Sequence, residues 1–417
     1  MMRECITLPN GLQIWLEEQR ELHTVSFGIW TAAGSCMETP NNNGVSHFLE
    51  HMYFKGSRTC GAAELAARMD AIGGHMNAYT TKEYTCFYAR TLTEHMGEGF
   101  DLLSDMLTCP AMDQTMFETE RGVVLEEIGM ANDDPEDAVG EQLERGIWQA
   151  SPYGMPILGT RNSVQALTLA DLQTYRAKMY VPNRTAISIS GRFDRNEVLE
   201  RIEKRFGMQK SGVARMPCAP IAYQQVHLYE PRELEQTHLC FCLPSLPARD
   251  KRRWAMTMLN TIVGSTTSSR LFQRIREELG LAYSIGSDVS PYEAGGALYI
   301  QAAVNPAQAT RAAQEIAEVL RGVKNGITEA EFVRAREGLK SSLRMSMENS
   351  MSRASYAGRG ALVGEVLPDD ELLAQVERVT PQEINALASE IFDLRKLSTS
   401  VCGTVNDPSI YKTIAQG

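Results

Sequence analysis

Two short landmarks recur about half a chain apart, and they constrain the fold more than any other feature. Thr168-Leu-Ala-Asp171 and Thr380-Pro-Gln-Glu383 each place an acid three residues after a threonine. That is the reciprocal hydrogen-bonding signature of a helix N-terminus. At equal spacing behind each comes an alternating strand closed by glycine, TAISISG ending at Gly191 and LSTSVCG ending at Gly403. A chain of 417 residues is too long for one comfortable core. The repeat therefore predicts a duplication, with domains at 1–207 and 222–417. The joint is expected near Gly207–Ala222, where Gly, Pro and Ser appear without periodicity.

Strands and helices mix within each half without strict alternation. CITLPNGLQIWLE reads as an Asn-Gly hairpin, TVSFGIWTAAG as a further strand, and HMNAYTTKEYTCFYAR as a half-exposed one. Several helices follow before the closing strand. The pattern indicates α+β: a mainly antiparallel sheet with helices packed on one face.

Chemistry concentrates in His47-Phe48-Leu49-Glu50-His51. A helix advances about 100° per residue, so His47 and His51 share a face one turn apart. Both imidazoles can reach one metal ion, with Glu50 beside them as a base for water. The bland alternative is a solvated helix face with weak i,i+4 contacts. Catalytic zinc usually takes three protein ligands. Asp113–Asp133 reads as a helix, with Phe117, Val124, Leu125 and Ile128 at helical spacing. It carries Glu118, Glu120, Glu126 and Glu127, and periodicity does not choose among them. Glu120 and Glu127, seven apart, share a face; Glu118 and Glu126 read as exposed helix residues.

SHFLEHMYFKGS (Ser46–Ser57), GGHMNAYTTKEYTCFYAR (Gly73–Arg90) and ERGVVLEEIGM (Glu120–Met130) together resemble the pitrilysin/insulinase family of zinc metallopeptidases. Two-domain members, similar to mitochondrial processing peptidase β subunits and their bacterial relatives, fit best, over almost the whole chain. The resemblance implies a six-stranded sheet in each domain and a clam-shell chamber between the halves. It implies Zn2+ held by His47, His51 and Glu127, with Glu50 as general base and Glu120 supporting catalysis from behind the ligands. Arg276 and Tyr283 of the second half would contact the substrate carbonyl; without the resemblance they read as a surface arginine and a packed strand tyrosine. Asn77 and Ala78 would lie beside the cleaved bond of an extended peptide. Phe54 would line the pocket after the cut, or equally serve as a core aromatic. Asp137 and Glu141 match acids that hold a basic residue near the cut, against the reading of a solvated helix face.

The net charge of −11 argues against nucleic acid and is compatible with steering basic peptides. No apolar run approaches a membrane span, and no secretory or transit signal is visible at the N-terminus, so a cytoplasmic location is expected. The nine cysteines are scattered and read as buried hydrophobes in a reducing compartment. All the catalytic groups occur in one chain, which makes a homodimer the economical expectation, with a heteromeric partner subunit as the alternative. The expected activity is a zinc endopeptidase acting on unstructured peptides or flexible termini, with a preference for basic residues near the cut. The competing class is a non-proteolytic structural or peptide-binding subunit of the same fold.

Overall fold

A computed structural model describes residues 3–414, except 150, 217, 219 and 364. The chain forms two compact units. The first sheet has the order β1-β2-β6-β3-β5-β4. Its strands are β1 Glu4–Thr7, β2 Gln13–Glu18, β3 Thr24–Thr31, β4 His75–Thr80, β5 Thr85–Leu92 and β6 Thr185–Gly191. The second sheet has the order β7-β11-β8-β10-β9. Its strands are β7 His227–Glu230, β8 Thr237–Ser245, β9 Ala282–Pro291, β10 Gly296–Val304 and β11 Ser398–Cys402. Apart from β1, one topology serves both: a single parallel pair (β2 with β6, β7 with β11) inside an otherwise antiparallel sheet.

The repeated landmarks occupy equivalent places. Thr168 and Thr380 each complete a capping box, with Asp171 and Glu383. Gly191 and Gly403 close β6 and β11 with φ of 131° and 134°, backbone that favours glycine. The second sheet corrects the expected six strands, showing five among the described residues. The extra strand of the first sheet is the outer arm of the Asn10-Gly11 hairpin, and no such turn precedes β7.

Each unit also departs from a contiguous half. Unit one comprises Met1–Gly129, Met155–Met216 and Arg344–Asp369; unit two comprises Met130–Gly154, Pro217–Leu343 and Asp370–Gly417. Helix Ser350–Val363 from the second half packs on β2, β3 and β6, while helix Pro135–Ile147 from the first half packs on β7, β8 and β11. The boundaries expected at 1–207 and 222–417 thus differ from the units by two exchanged helices.

The exchange also corrects the expectation of helices on one face only. Val25, Phe27 and Ile29 of β3 join the main core of unit one. The opposite face carries Ser26, Ser188 and Ser190, all buried, and Ser26 Oγ lies 2.8 Å from Ser350 Oγ on the exchanged helix. In unit two, Ser400 Oγ meets Gln142 Oε1 at 2.7 Å. Serine is small enough to admit a helix closely and keeps a hydrogen-bond partner there. Charge reinforces the first contact: Arg3 and Arg353 both pair with Glu17 and Asp369 in a nearly buried cluster.

Candidate metal centre

Helix Val45–Tyr53 is sorted by periodicity. Val45, Phe48, Leu49 and Met52 point into the core with no exposed surface. His47, Glu50 and His51 occupy the other face. A buried carboxylate holds the helix start: Glu38 accepts the Gly44 and Ser46 amides at 2.7 and 2.8 Å, and the Asn43 side chain at 2.9 Å. Negative charge there complements the helix dipole. Gly44 itself has φ 93°, and a Cβ on it would approach the Leu158 carbonyl oxygen to 2.7 Å.

Phe117 on helix Gln114–Asp133 stacks on Phe48 with centroids 4.8 Å apart and planes 10° from parallel. That contact sets the phase of the acidic helix and turns Glu120 and Glu127 toward the imidazoles. Glu127 lies 3.7 Å from His47 Nε2 and 3.3 Å from His51 Nε2. One ligand atom from each of the three residues falls within 4.8 Å of the others. His51 Nδ1 sits 2.9 Å from Glu120 Oε1, leaving Nε2 for the metal side. A carboxylate on the remote nitrogen is how ligating histidines are usually oriented. Two imidazoles and a carboxylate on a partly buried wall fit zinc.

The electrostatics agree. Burial, with help from the neighbouring His51, pushes the His47 pKa down to about 4, so this ring is neutral at pH 7, the form that metal binding requires. Burial also works to lower His51, but hydrogen bonds to Glu127 and Glu120 outweigh it and raise the value. Glu127 is lowered, first by its hydrogen bond to His51. Glu50 is raised by burial, opposed by Thr80 Oγ1, which donates to Glu50 Oε2 at 2.5 Å.

Three contacts of this site are absent from the motif reading. Lys55 Nζ pairs with Glu120, and its i,i+4 spacing from His51 was the available signal. Thr80, at the end of β4, holds Glu50 from another strand, and Glu38 precedes the helix by several residues; neither pairing has a local sequence signature.

The other expected residues fall as follows. Asn77 and Ala78 lie on β4, which pairs only with β5 among the described residues and so presents a free sheet edge. Phe54 follows the motif helix and packs partly buried against the core, 6.5 Å from Phe87 between centroids, which favours its core reading. Arg276 and Tyr283 belong to unit two, the guanidinium lying 5.0 Å from the Tyr283 ring centroid and 4.8 Å from that of Phe272. Tyr283 is 77% exposed. Asp137 and Glu141 also belong to unit two, on the exchanged helix, where Glu141 is paired with Arg145 at 2.8 Å. The five remaining histidines belong to no metal-competent group among the described residues, and none of the nine cysteines forms a disulfide there.

Residues 13–161 match the model of the insulinase family, peptidase family M16. Residues 166–339 match the model of the peptidase M16 inactive domain. The chain belongs to the insulinase family. It is 36% identical to an uncharacterized zinc protease of Streptomyces coelicolor, over 96% of this chain and 89% of that protein. Identity is also 36% to the uncharacterized zinc protease YmxG of Bacillus subtilis, over 93% of this chain and 95% of that one. In fold it is similar to a protease from Helicobacter pylori, with TM-score 0.91 at 20% identity, covering 96% and 99% of the two chains. A chain of Complex III2 from Candida albicans is similar too, with TM-score 0.86 at 20% identity over 99% of each. Family and relatives thus make the chain an M16-type zinc protease. No described helix is long and apolar enough to cross a membrane.

Proposed function

We propose that this protein is a zinc-dependent endopeptidase hydrolysing unstructured peptides or flexible protein termini. The observation that carries the reading is the convergence of His47, His51 and Glu127 donor atoms within 4.8 Å, with Glu50 on the same rigid helix. Zinc, when bound, supplies Lewis acidity that polarises a carbonyl oxygen and acidifies coordinated water. Glu50 takes the proton of the attacking water on a carboxylate oxygen and returns it to the leaving amine. Burial raises its pKa, which suits a group that must both accept and give back a proton. Thr80 fixes the carboxylate by occupying Oε2. Glu120, itself held by Lys55, keeps His51 in the ligating orientation.

An extended peptide is proposed to add to the free edge of β4 beside Asn77 and Ala78, gaining affinity from backbone pairing with little demand on side chains. Arg276 and Tyr283 are assigned to the oxyanion of the tetrahedral intermediate; the exposure of Tyr283 and its stacking with Arg276 support the assignment. The preference for basic residues near the cut rests on Asp137 and the acidic balance of the chain, since Glu141 already has a cationic partner. A cytoplasmic homodimer completes the proposal, all catalytic groups being present in one chain.

A non-proteolytic subunit is the second reading, favoured by the shared fold with a chain of Complex III2. Mass spectrometry of a mixed pool of unstructured peptides, incubated with zinc-loaded protein and with Glu50→Gln, separates the two. Cleavage by the wild type alone supports the endopeptidase, and the aligned cut sites test the basic preference. No zinc bound and no cleavage would leave the subunit reading in its place.

A further inference from the structure

Unit one contains a cavity of about 270 Å3, apart from the metal ligands, with helix Leu169–Met179 supplying part of its wall. The space opens to solvent on one side, and polar pockets are normally furnished with partners. Arg176 lines this one. Its Nη2 donates to the Leu107 and Thr108 carbonyl oxygens at 3.0 and 3.1 Å, its Nε is buried with no hydrogen bond of its own, and the guanidinium also interacts with the Tyr53 hydroxyl. Among the described residues no carboxylate pairs with Arg176. Lys210, exposed and likewise without a carboxylate partner among the described residues, is the second cation of the lining.

The chain holds 52 acidic residues against 41 basic ones, yet no Asp or Glu lines this cavity. A half-buried guanidinium whose Nε is shielded from solvent and has no counter-ion among the described residues points to an anion supplied from outside the chain. Tyr180 also lines the cavity, its buried hydroxyl interacting with Thr85. Leu12, Ile29 and Phe206 give the same space apolar wall. The volume lies just below the range for drug-sized ligands.

We propose that this cavity binds a small organic carboxylate. Its head group would sit at Arg176 and Lys210, since the guanidinium fork matches a carboxylate. Its short apolar body would lie against Leu12, Ile29 and Phe206. The Tyr180 ring is 5.3 Å from that of Tyr53 at the end of the motif helix, and Ser46 Oγ lies 2.8 Å from Tyr175 Oη beside Arg176. An occupant would therefore stiffen the contact between the cavity wall and the helix that carries His47 and His51.

The test is a 19F NMR titration of the full chain with 4-fluorobenzoate, repeated on Glu50→Gln so that its outcome is independent of peptidase activity. Inorganic phosphate, an anion without a body, and 4-fluorobenzyl alcohol, a body without a charge, are the comparison arms. Saturable binding of the benzoate, displaced by hexanoate but by neither comparison compound, is expected. Arg176→Met should weaken it at least about tenfold, and Lys210→Met by less. Absence of saturable binding, displacement by phosphate, or equal affinity in Arg176→Met would overturn the proposal. If Arg176→Met does not fold, the exposed Lys210→Met decides: weakened binding supports the site and unchanged binding removes it.

Discussion

The two units place different chemistry on the helix that follows their central strand. In unit one, Glu50 on helix Val45–Tyr53 accepts a hydrogen bond from Thr80 of the outer strand β4. In unit two, helix Arg253–Asn260 ends in Asn260, whose Oδ1 accepts from Ser287 Oγ of the outer strand β9 at 2.6 Å. The polar link from helix to outer strand is common to both. What differs is charge: unit two uses a neutral amide and otherwise buries Met256, Met258 and Leu259 on that helix. The fold therefore requires the link and not the carboxylate. Unit one buries Glu50, Glu120 and His47 together, a costly grouping that folding alone does not explain.

The comparison can be broken in order of expected effect. Glu50→Gln gives unit one the amide that unit two already has. It should lower turnover by about 10²–10⁴-fold, the usual reach of a general base, while zinc content measured by elemental analysis stays unchanged. Loss of zinc in this variant would mean that Glu50 is a ligand.

Glu120→Ala should come next. Removing the carboxylate from His51 Nδ1 is expected to weaken zinc binding about 10–100-fold in chelator competition. Affinity should also fall as pH decreases in the wild type, because the pKa of His51 is raised and its proton competes with the metal. An affinity independent of pH would exclude His51 from the ligand set.

Asn260→Asp is the reverse exchange. It places a charge where a buried neutral amide now stands, at a cost of about 1–3 kcal/mol in urea unfolding. Burial should raise the pKa of the new acid in the folded state, so the deficit should grow as pH rises from about 4 toward 7. A deficit that is equal at both ends would mean packing, not charge, is responsible.

The smallest effect belongs to an ion pair that involves neither helix. Arg270 holds the Glu331 pKa down to about 2 through its hydrogen bond. A depressed acid stabilises the fold above its unfolded value, here 4.5, and loses that contribution as pH falls toward 2. Discounted for solvent screening, Arg270→Met should cost about 1 kcal/mol near pH 7 and almost nothing at pH 2.

Much of the site was legible because its signals are local. The i,i+4 histidines, the intervening glutamate and the periodic acidic helix each declare a face. Choosing Glu127 over its neighbours needed the family resemblance, and the stacking of Phe117 on Phe48 is the physical reason for that choice. The duplication was legible in its paired capping boxes and glycine-closed strands. The exchanged helices were not. Alternation such as TAISISG says that one face is small and polar, yet Ser188 and Ser190 are 1% exposed because a helix from the other half covers them. Which distant helix covers a strand is a long-range pairing without a local signature. The same holds for Thr80 on Glu50, and for Asp137 and Glu141, whose spacing gave no sign that their helix belongs to the second unit.

The central claim is that the zinc centre lies in unit one, at His47, His51 and Glu127. Zinc counted per chain, with X-ray absorption at the zinc edge, tests it most directly. One zinc per chain in a nitrogen- and oxygen-only shell with two imidazoles, lost in His47→Ala and in His51→Ala, is the expected result. Zinc retained in both variants, or a shell containing sulfur, would place the metal elsewhere and contradict the account.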